Sequence, residues 1–306
     1  MSKRYGFLLF LVLLSLLRPA NLFSAQILID SEKQFQYALE TMRQGEYARA
    51  VTEFERFIHF FSKDKKVPRA RYLIGLCYLK ARSYESSRAA FETVYKRHRT
   101  EALGGNALLL IGETYYQQGL SGEAGRYFKK VIEAYPQASL ANVARYRLGW
   151  THLQANRWRE ASNVFKGVEE RSPLYPSAQD LALSSLKGEE LSFKEPAAAG
   201  VLAVIPGLGH LYTNRYKDAL ISFLVNGLLI WATVEAFDEG HEVLGGILGF
   251  VGLGFYSGNI YSAISGAHKH NVKVKEDFRQ GLPDRFNLNL LMSREGHLGL
   301  AVCVRF

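Results

Sequence analysis

From residue 31 onward, apolar and polar positions follow a helical period, and one pattern returns every 37 residues. Gly45, Arg82, Gly119 and Asn156 mark one position of it, and Tyr47, Tyr84, Ser121 and Trp158 stand two residues later. Ala50, Ser87, Ala124 and Ala161 come next, ahead of Phe54, Phe91, Phe128 and Phe165. Upstream in the same frame lie Ala38, Gly75, Gly112 and Gly149. The pattern predicts four helix pairs. A small residue lets the two helices of a pair approach, the phenylalanine fills the gap beside it, and Gly119 and its equivalents make the turn. One such pair cannot bury its apolar face alone, so the pairs stack into a solenoid. Pro136, Pro173 and Pro176 fall in the connections, where helices stop. Residues 178–193 read as a helix closing the stack.

This order of residues resembles the tetratricopeptide repeat over residues 31–176, although that family's usual period is nearer 34. The phrase "EAYPQASLANVARYRLG" is similar to repeats of bacterial periplasmic proteins of the Tol–Pal coordinator and outer-membrane assembly lipoprotein kind. Repeat 1 departs most, with Thr41 where an aromatic is usual. The resemblance implies that the first helix of each pair lines a concave groove for a protein or peptide partner. Carried onto this chain, the lining residues are Phe35, Leu39, Met42, Arg69, Tyr72, Leu76, Asn106, Glu113, Tyr116, Tyr146, Trp150 and Leu153. The aromatic members would suit an extended or helical peptide with apolar anchors. The alternative is that several of them pack between helices. The regular Lys/Asn set of carboxylate-clamp repeats is missing, which argues against a receptor for chaperone tails.

Beyond residue 195 the period changes. "GVLAVIPGLGHLYTNRYKDALISFLVN" joins an apolar run to Gly-x-Gly, the outline of a phosphate-cradling loop. The third glycine of a dinucleotide loop is replaced by Tyr212, and no Lys-Ser or Lys-Thr comes after it. The chain is uncharged from 219 to 234, acidic at Glu235, Asp238, Glu239 and Glu242, and free of Asp, Glu, Lys and Arg from 243 to 267. This predicts a helical hairpin of membrane length, so lipid rather than nucleotide is the expected partner. The Pro206 ring breaks the helix begun at Pro196, and Gly207 and Gly209 absorb the reversal. The phrase "PGLGHLYTNRYKDAL" is similar to the signature of small bacterial two-helix membrane domains of the TM2 type, over about 196–268. That resemblance brings no known catalysis. Gly245, Gly249, Gly254, Gly258, Ser262 and Gly266 are expected to serve helix packing, the last four forming one stripe. Asn226 and Asn259 are candidates for interhelical hydrogen bonds, but their distances from the turn differ by more than a helical turn. Arg215, Lys217, Lys269, Lys273 and Lys275 flank the hairpin, which sets both flanks inside and the acidic turn outside. With an exported repeat region, residues 196–212 would then have to cross as a short third segment.

Charge, cysteines and termini refine this picture. The net charge of +9 comes from scattered Lys and Arg without a long basic block, so a nucleic-acid partner is not expected. Cys77 and Cys303 stand too far apart for a disulfide framework. Lys3 and Arg4 precede an apolar run from Phe7 to Leu17, read as a signal peptide over 1–25. His268 and His270 read as a basic membrane edge rather than a metal site, and no catalytic constellation, metal or cofactor is expected. In the tail, Leu298, Leu300, Val302, Val304 and Phe306 alternate, which predicts a β-hairpin with "SREGH" as its turn. Its terminal Phe looks like the C-terminal signal of outer-membrane barrels, yet one hairpin cannot close a barrel. The expected architecture is all-α: a tetratricopeptide solenoid (26–195), a membrane domain (196–270) and a tail with a short β-hairpin (271–306). The expected function is a non-enzymatic envelope adaptor. It sits in the inner membrane with periplasmic repeats, the outer membrane being the alternative. A structural subunit forming a homo-oligomer through the Gly-rich hairpin is the alternative function.

Overall fold

The structure is a computed structural model, and it describes residues 30–136 and 139–282 together with the backbone of 286–292 and 298–304. The expected signal peptide lies outside the described residues. The chain divides into two compact units, Met1–Ala70 and Arg71–Phe306.

In the first unit, α1 (Ser31–Arg43) and α2 (Tyr47–Phe60) form one helix pair. Asp30 caps α1 by accepting a hydrogen bond from the Glu32 amide at 3.1 Å. Gly45 makes the turn with φ +81°. Phe35 meets Phe54 and Phe57 edge-on at 5.8 and 5.2 Å, over the fully buried Ala38. Helix α3 (Val67–Lys80) begins in this unit and continues into the next.

The second unit continues with α4 (Tyr84–Arg97), α5 (Ala102–Gln117), α6 (Ser121–Ala134), α7 (Ser139–Gln154) and α8 (Trp158–Lys166). The 37-residue frame reappears as a repeated contact. A Cβ built on Gly75, Gly112 or Gly149 would lie 2.7, 2.8 or 2.5 Å from the ring of Phe91, Phe128 or Phe165. Each ring therefore sits where only glycine leaves room, and all three rings are fully buried. The turns repeat too: Arg82, Gly119 and Asn156 all have positive φ, at 58°, 76° and 57°. Helix α9 (Tyr175–Leu186) and a 3-10 turn (Lys187–Glu190) come next, starting three residues before the expected closing helix.

After Glu195 come α10 (Pro196–Leu202), α11 (Leu208–Tyr212), α12 (Tyr216–Asp238) and α13 (Glu242–Gln280). Helices α12 and α13 are long and apolar enough to cross a membrane by length and composition. At 1.5 Å per residue their 23 and 39 residues extend about 35 and 58 Å. Gly207, at φ +92°, turns the chain between α10 and α11. A Cβ on Gly209 would lie 2.4 Å from the Ala199 carbonyl oxygen and 2.7 Å from the Cβ atoms of Ala203 and Ala263. Ala199, Ala203, Ala263 and Ala267 form the fully buried cluster at this junction.

Residues 196–212, expected as a short third segment, double back on themselves. The Glu195 amide donates to the Tyr212 hydroxyl at 2.9 Å, so the segment returns to where it started. Lys194 exchanges two backbone hydrogen bonds with the Asn271 side chain, each 2.8 Å. The physical reason is the glycine turn: it lets α10 and α11 fold back side by side against α13.

In the tail, β1 (Phe286–Met292) pairs antiparallel with β2 (Leu298–Val304), Phe286 opposite Val304 and Met292 opposite Leu298. The residues between the strands lie outside the described set.

Candidate partner-binding surface

The expected groove residues divide by burial. In the first unit, Phe35 and Leu39 are core, while Met42 and Arg69 are half-buried. The Arg69 guanidinium lies 5.3 Å from the Phe35 ring centre, and burial lowers its pKa. In the second unit, Tyr72, Tyr146 and Trp150 are 1%, 0% and 6% exposed, and Leu76 and Leu153 are fully buried. Tyr72, Tyr146 and Trp150 therefore follow the alternative and pack between helices instead of lining an open groove. Tyr72 meets Phe91 edge-on at 5.6 Å, and Tyr146 does the same with Phe165. The Tyr146 hydroxyl lies 3.0 Å from Ser177 of α9, because the closing helix covers this face of α7. Asn106 and Tyr116 are the members left half-exposed in this unit.

Beneath Tyr116 lies a feature of which the sequence reveals only half. Glu113 and Arg147 form a bidentate pair, Nε to Oε2 at 2.8 Å and Nη2 to Oε1 at 2.7 Å. Both side chains are almost fully buried. The guanidinium carbon stands 4.0 Å from the Tyr116 ring centre, a cation–π contact. Gln117 donates to Glu113 at 3.1 Å, and Gln154 donates to the Tyr116 carbonyl at 3.3 Å. This network ties α5 to α7 and holds the Tyr116 ring in one place. Glu113 belongs to the expected set. Arg147, one helix pair later and two residues before the repeat glycine Gly149, carries no sequence signal of its own.

Two titratable side chains buried within the repeats are held in their neutral forms. Burial pushes the Cys77 thiol up to about 12, so it stays protonated. Burial, reinforced by Arg157, pushes the His152 imidazole down to about 4, so it is neutral at pH 7. Among the described residues no group of three or more His, Cys, Asp and Glu could hold a metal ion.

The sequence matches the family profile described as "Tetratricopeptide repeat" at residues 37–98 and 78–139. Residues 37–139 carry tetratricopeptide repeats. No curated protein matches the sequence. Similar solved structures include tetratricopeptide-like repeats of a kinesin light chain from Podosopora anserina (13% identity, 52% of this chain and 86% of that one, TM-score 0.42). A tetratricopeptide repeat protein from Parabacteroides merdae is 12% identical over 82% of this chain and 97% of its own, with TM-score 0.42. The Rap conjugation regulator of plasmid pLS20, solved with the Phr* peptide, is 13% identical over 89% of this chain and 86% of that one, with TM-score 0.41.

The Gly-rich positions also separate. A Cβ on Gly245 would meet the Phe237 ring at 2.9 Å, and one on Gly249 would touch Thr233, so both face α12. Gly266 packs under the Arg215 guanidinium, which donates to the Ser262 carbonyl at 2.9 Å. A Cβ on Gly254 or Gly258 would meet nothing within 4 Å. The expected single stripe is therefore two contact zones and an open one. Gly254 and Gly258 line a cleft of about 500 Å³ between α12 and α13, with Asn226 and Asn259 on its walls. These two asparagines do not bond each other. Ser222 links them, donating to Asn259 Oδ1 at 2.5 Å while its carbonyl accepts from Asn226 at 2.8 Å. Asn259 in turn donates to the Ala203 carbonyl at 2.7 Å.

Proposed function

We propose that this chain is a membrane-tethered adaptor of the cell envelope, whose repeats hold a protein or peptide partner and whose hairpin sits in the bilayer. The repeat is an interaction module rather than a catalytic fold, which supports the first half. One observation carries the second: α12 and α13 are inside out. Their buried residues are Ala219, Ser222, Asn226, Ala236, Gly245, Asn259, Ala263, Gly266 and Ala267. Their exposed residues include Phe223, Trp231, Val243, Phe250 and Leu253, Phe250 at 81%. Water disfavours that arrangement over so large a surface, whereas hydrocarbon favours it.

The repeats are coupled to this hairpin by the last turns of α13. Phe278 meets Trp158 edge-on at 5.3 Å, and Arg279 donates to the Gln154 carbonyl at 3.0 Å. Repeats and basic flanks therefore share one face of the membrane, and the turn at 239–241 lies on the other. An export signal over 1–25, the expectation from the sequence, would set that shared face in the periplasm of an inner-membrane protein. The lysine flanks then run against the positive-inside rule, so labelling is the deciding test. Cysteines at Gln44 and Lys273 should label from the periplasm, and one at Asp238 only after the membrane is opened. Full-length protein should resist carbonate extraction, and release by carbonate would sink the tether. Crosslinking in native membranes should trap a partner on Tyr116 or Asn106, and an empty surface there would sink the adaptor.

A second reading, a homo-oligomeric assembly subunit, is favoured by the open cleft. The Asn226 Oδ1 atom in its wall is buried without a hydrogen-bond partner, an arrangement that a helix of another copy would complete. In that case the tail strands pair with those of the neighbouring copy. Deleting 286–306 would then loosen the oligomer while leaving the membrane fraction unchanged. Gly254→Cys should crosslink between copies under this reading and stay monomeric under the first.

A further inference from the structure

The basic edge of the hairpin has a shape as well as a charge. Tyr261, Ile264, Ser265, His268, Lys269, Val272, Lys273 and Glu276 line a recess of about 480 Å³ along one face of α13. At one end of it Tyr261 is exposed, continuing the apolar surface of Phe250, Leu253 and Phe255. Two helical turns on, about 12 Å along the axis, His268 and Lys269 begin the charged end. Lys269 and Lys273 are four residues apart, so their side chains stand one above the other. Among the described residues neither ammonium has an ion-pair partner, although Glu276 is on the same face. Three neighbouring cations are engaged: Arg215 is paired with Asp218 at 2.7 Å, Lys194 lies over the Tyr212 ring and Lys275 over Phe193.

A recess that is apolar at Tyr261 and Ile264 and ends at two ammonium groups without an ion-pair partner among the described residues has the polarity of one kind of molecule. We infer that this recess is a binding site for an anionic phospholipid, its phosphate between Lys269 and Lys273 and an acyl chain along Ile264 and Tyr261. The opposite end of the hairpin has no Lys or Arg, the chain being free of both from 219 to 268, and carries the four carboxylates of that stretch, so it offers such a lipid nothing. Zwitterionic lipids fill the channel without neutralising the lysines, and inorganic phosphate neutralises the lysines without filling the channel.

This inference rests on the membrane reading, and the test separates the two. Full-length protein is reconstituted into phosphatidylcholine vesicles containing 20 mol% phosphatidylglycerol, and protein-bound lipid is measured with spin-labelled phosphatidylglycerol and spin-labelled phosphatidylcholine. The wild type should prefer the anionic label. Lys269→Gln/Lys273→Gln should lose about fivefold or more of that preference, and Lys269→Arg/Lys273→Arg should retain it. Lys33→Gln/Lys65→Gln, the same charge change far along the chain, should leave it untouched. Protein that stays in the bilayer but shows equal binding of both labels overturns the inference alone. So does a preference unchanged in the glutamine variant, or one abolished equally by the Lys33/Lys65 pair or by millimolar inorganic phosphate. Protein that fails to stay in the bilayer overturns the membrane reading itself.

Discussion

The repeats of the second unit and the α12–α13 hairpin use the same small residues to opposite ends. In the repeats, glycine makes room for an aromatic ring: Gly112 lies under Phe128, and Phe128 is fully buried. Where α10 and α11 pack on the hairpin's α13, glycine and alanine make room for backbone: Gly209 lies against the Ala199 carbonyl and the methyl groups of Ala203 and Ala263. The large side chains that the repeats bury, the hairpin turns outward. The polar groups that the repeats mostly leave outside, the hairpin encloses as Ser222, Asn226 and Asn259. In water the burial of apolar area supplies the driving force, so rings go inside. Where the surroundings are hydrocarbon, that force vanishes between helices, and close backbone approach with hydrogen bonds takes its place.

The largest test of this contrast sets one phenylalanine against another. Phe128→Ala should cost about 3–5 kcal/mol in denaturant melts followed by helicity. Phe250→Ala, 81% exposed, should shift the unfolding of reconstituted protein by less than about 0.5 kcal/mol. Equal costs would end the inside-out description.

Next comes the one charged pair that the repeats are seen to enclose among the described residues. Arg147→Met strands the Glu113 carboxylate in the core and should cost about 3–5 kcal/mol. Adding Glu113→Leu should restore most of it, since two apolar side chains leave no charge unpaired. If the double variant is no better than the single one, packing rather than charge decides this site.

At the hairpin and the helices packed on it, the matching change is a single methyl group. Gly209→Ala should cost about 1–3 kcal/mol, because its nearest neighbours include backbone that cannot swing aside. Gly254→Ala should be neutral within about 0.5 kcal/mol, as nothing stands near it. Both are read by thermal unfolding of reconstituted protein, and a reversed order would mean that the cleft is filled and the Pro-Gly turn is loose.

The acid response of the repeats is of similar size. His152 is neutral in the fold down to about pH 4, whereas in the unfolded chain it takes up its proton near 6.5. Between these values the unfolded state binds more protons, so stability falls as pH falls through this window. The loss should be on the order of 1–3 kcal/mol, and His152→Gln should flatten it. An unchanged slope would assign the acid response to other groups.

The sequence by itself determined the repeat. A 37-residue period with glycine, turn and phenylalanine at fixed offsets admits few folds, because each small residue needs its ring and each positive-φ turn needs its place. It also determined that residues 216–267 form two long apolar helices around an acidic turn. The tertiary structure decided what periodicity cannot express. Tyr72, Tyr146 and Trp150 occupy groove positions in the repeat frame, yet neighbouring rings and the closing helix α9 cover them. Arg147 finds Glu113 across 34 residues, a partnership no local pattern announces. Ser222 joins two asparagines that do not reach each other, and Gly207 sends residues 196–212 back to the side they left. Periodicity fixes which face of a helix is apolar. Only packing, which depends on every neighbour at once, fixes what that face meets.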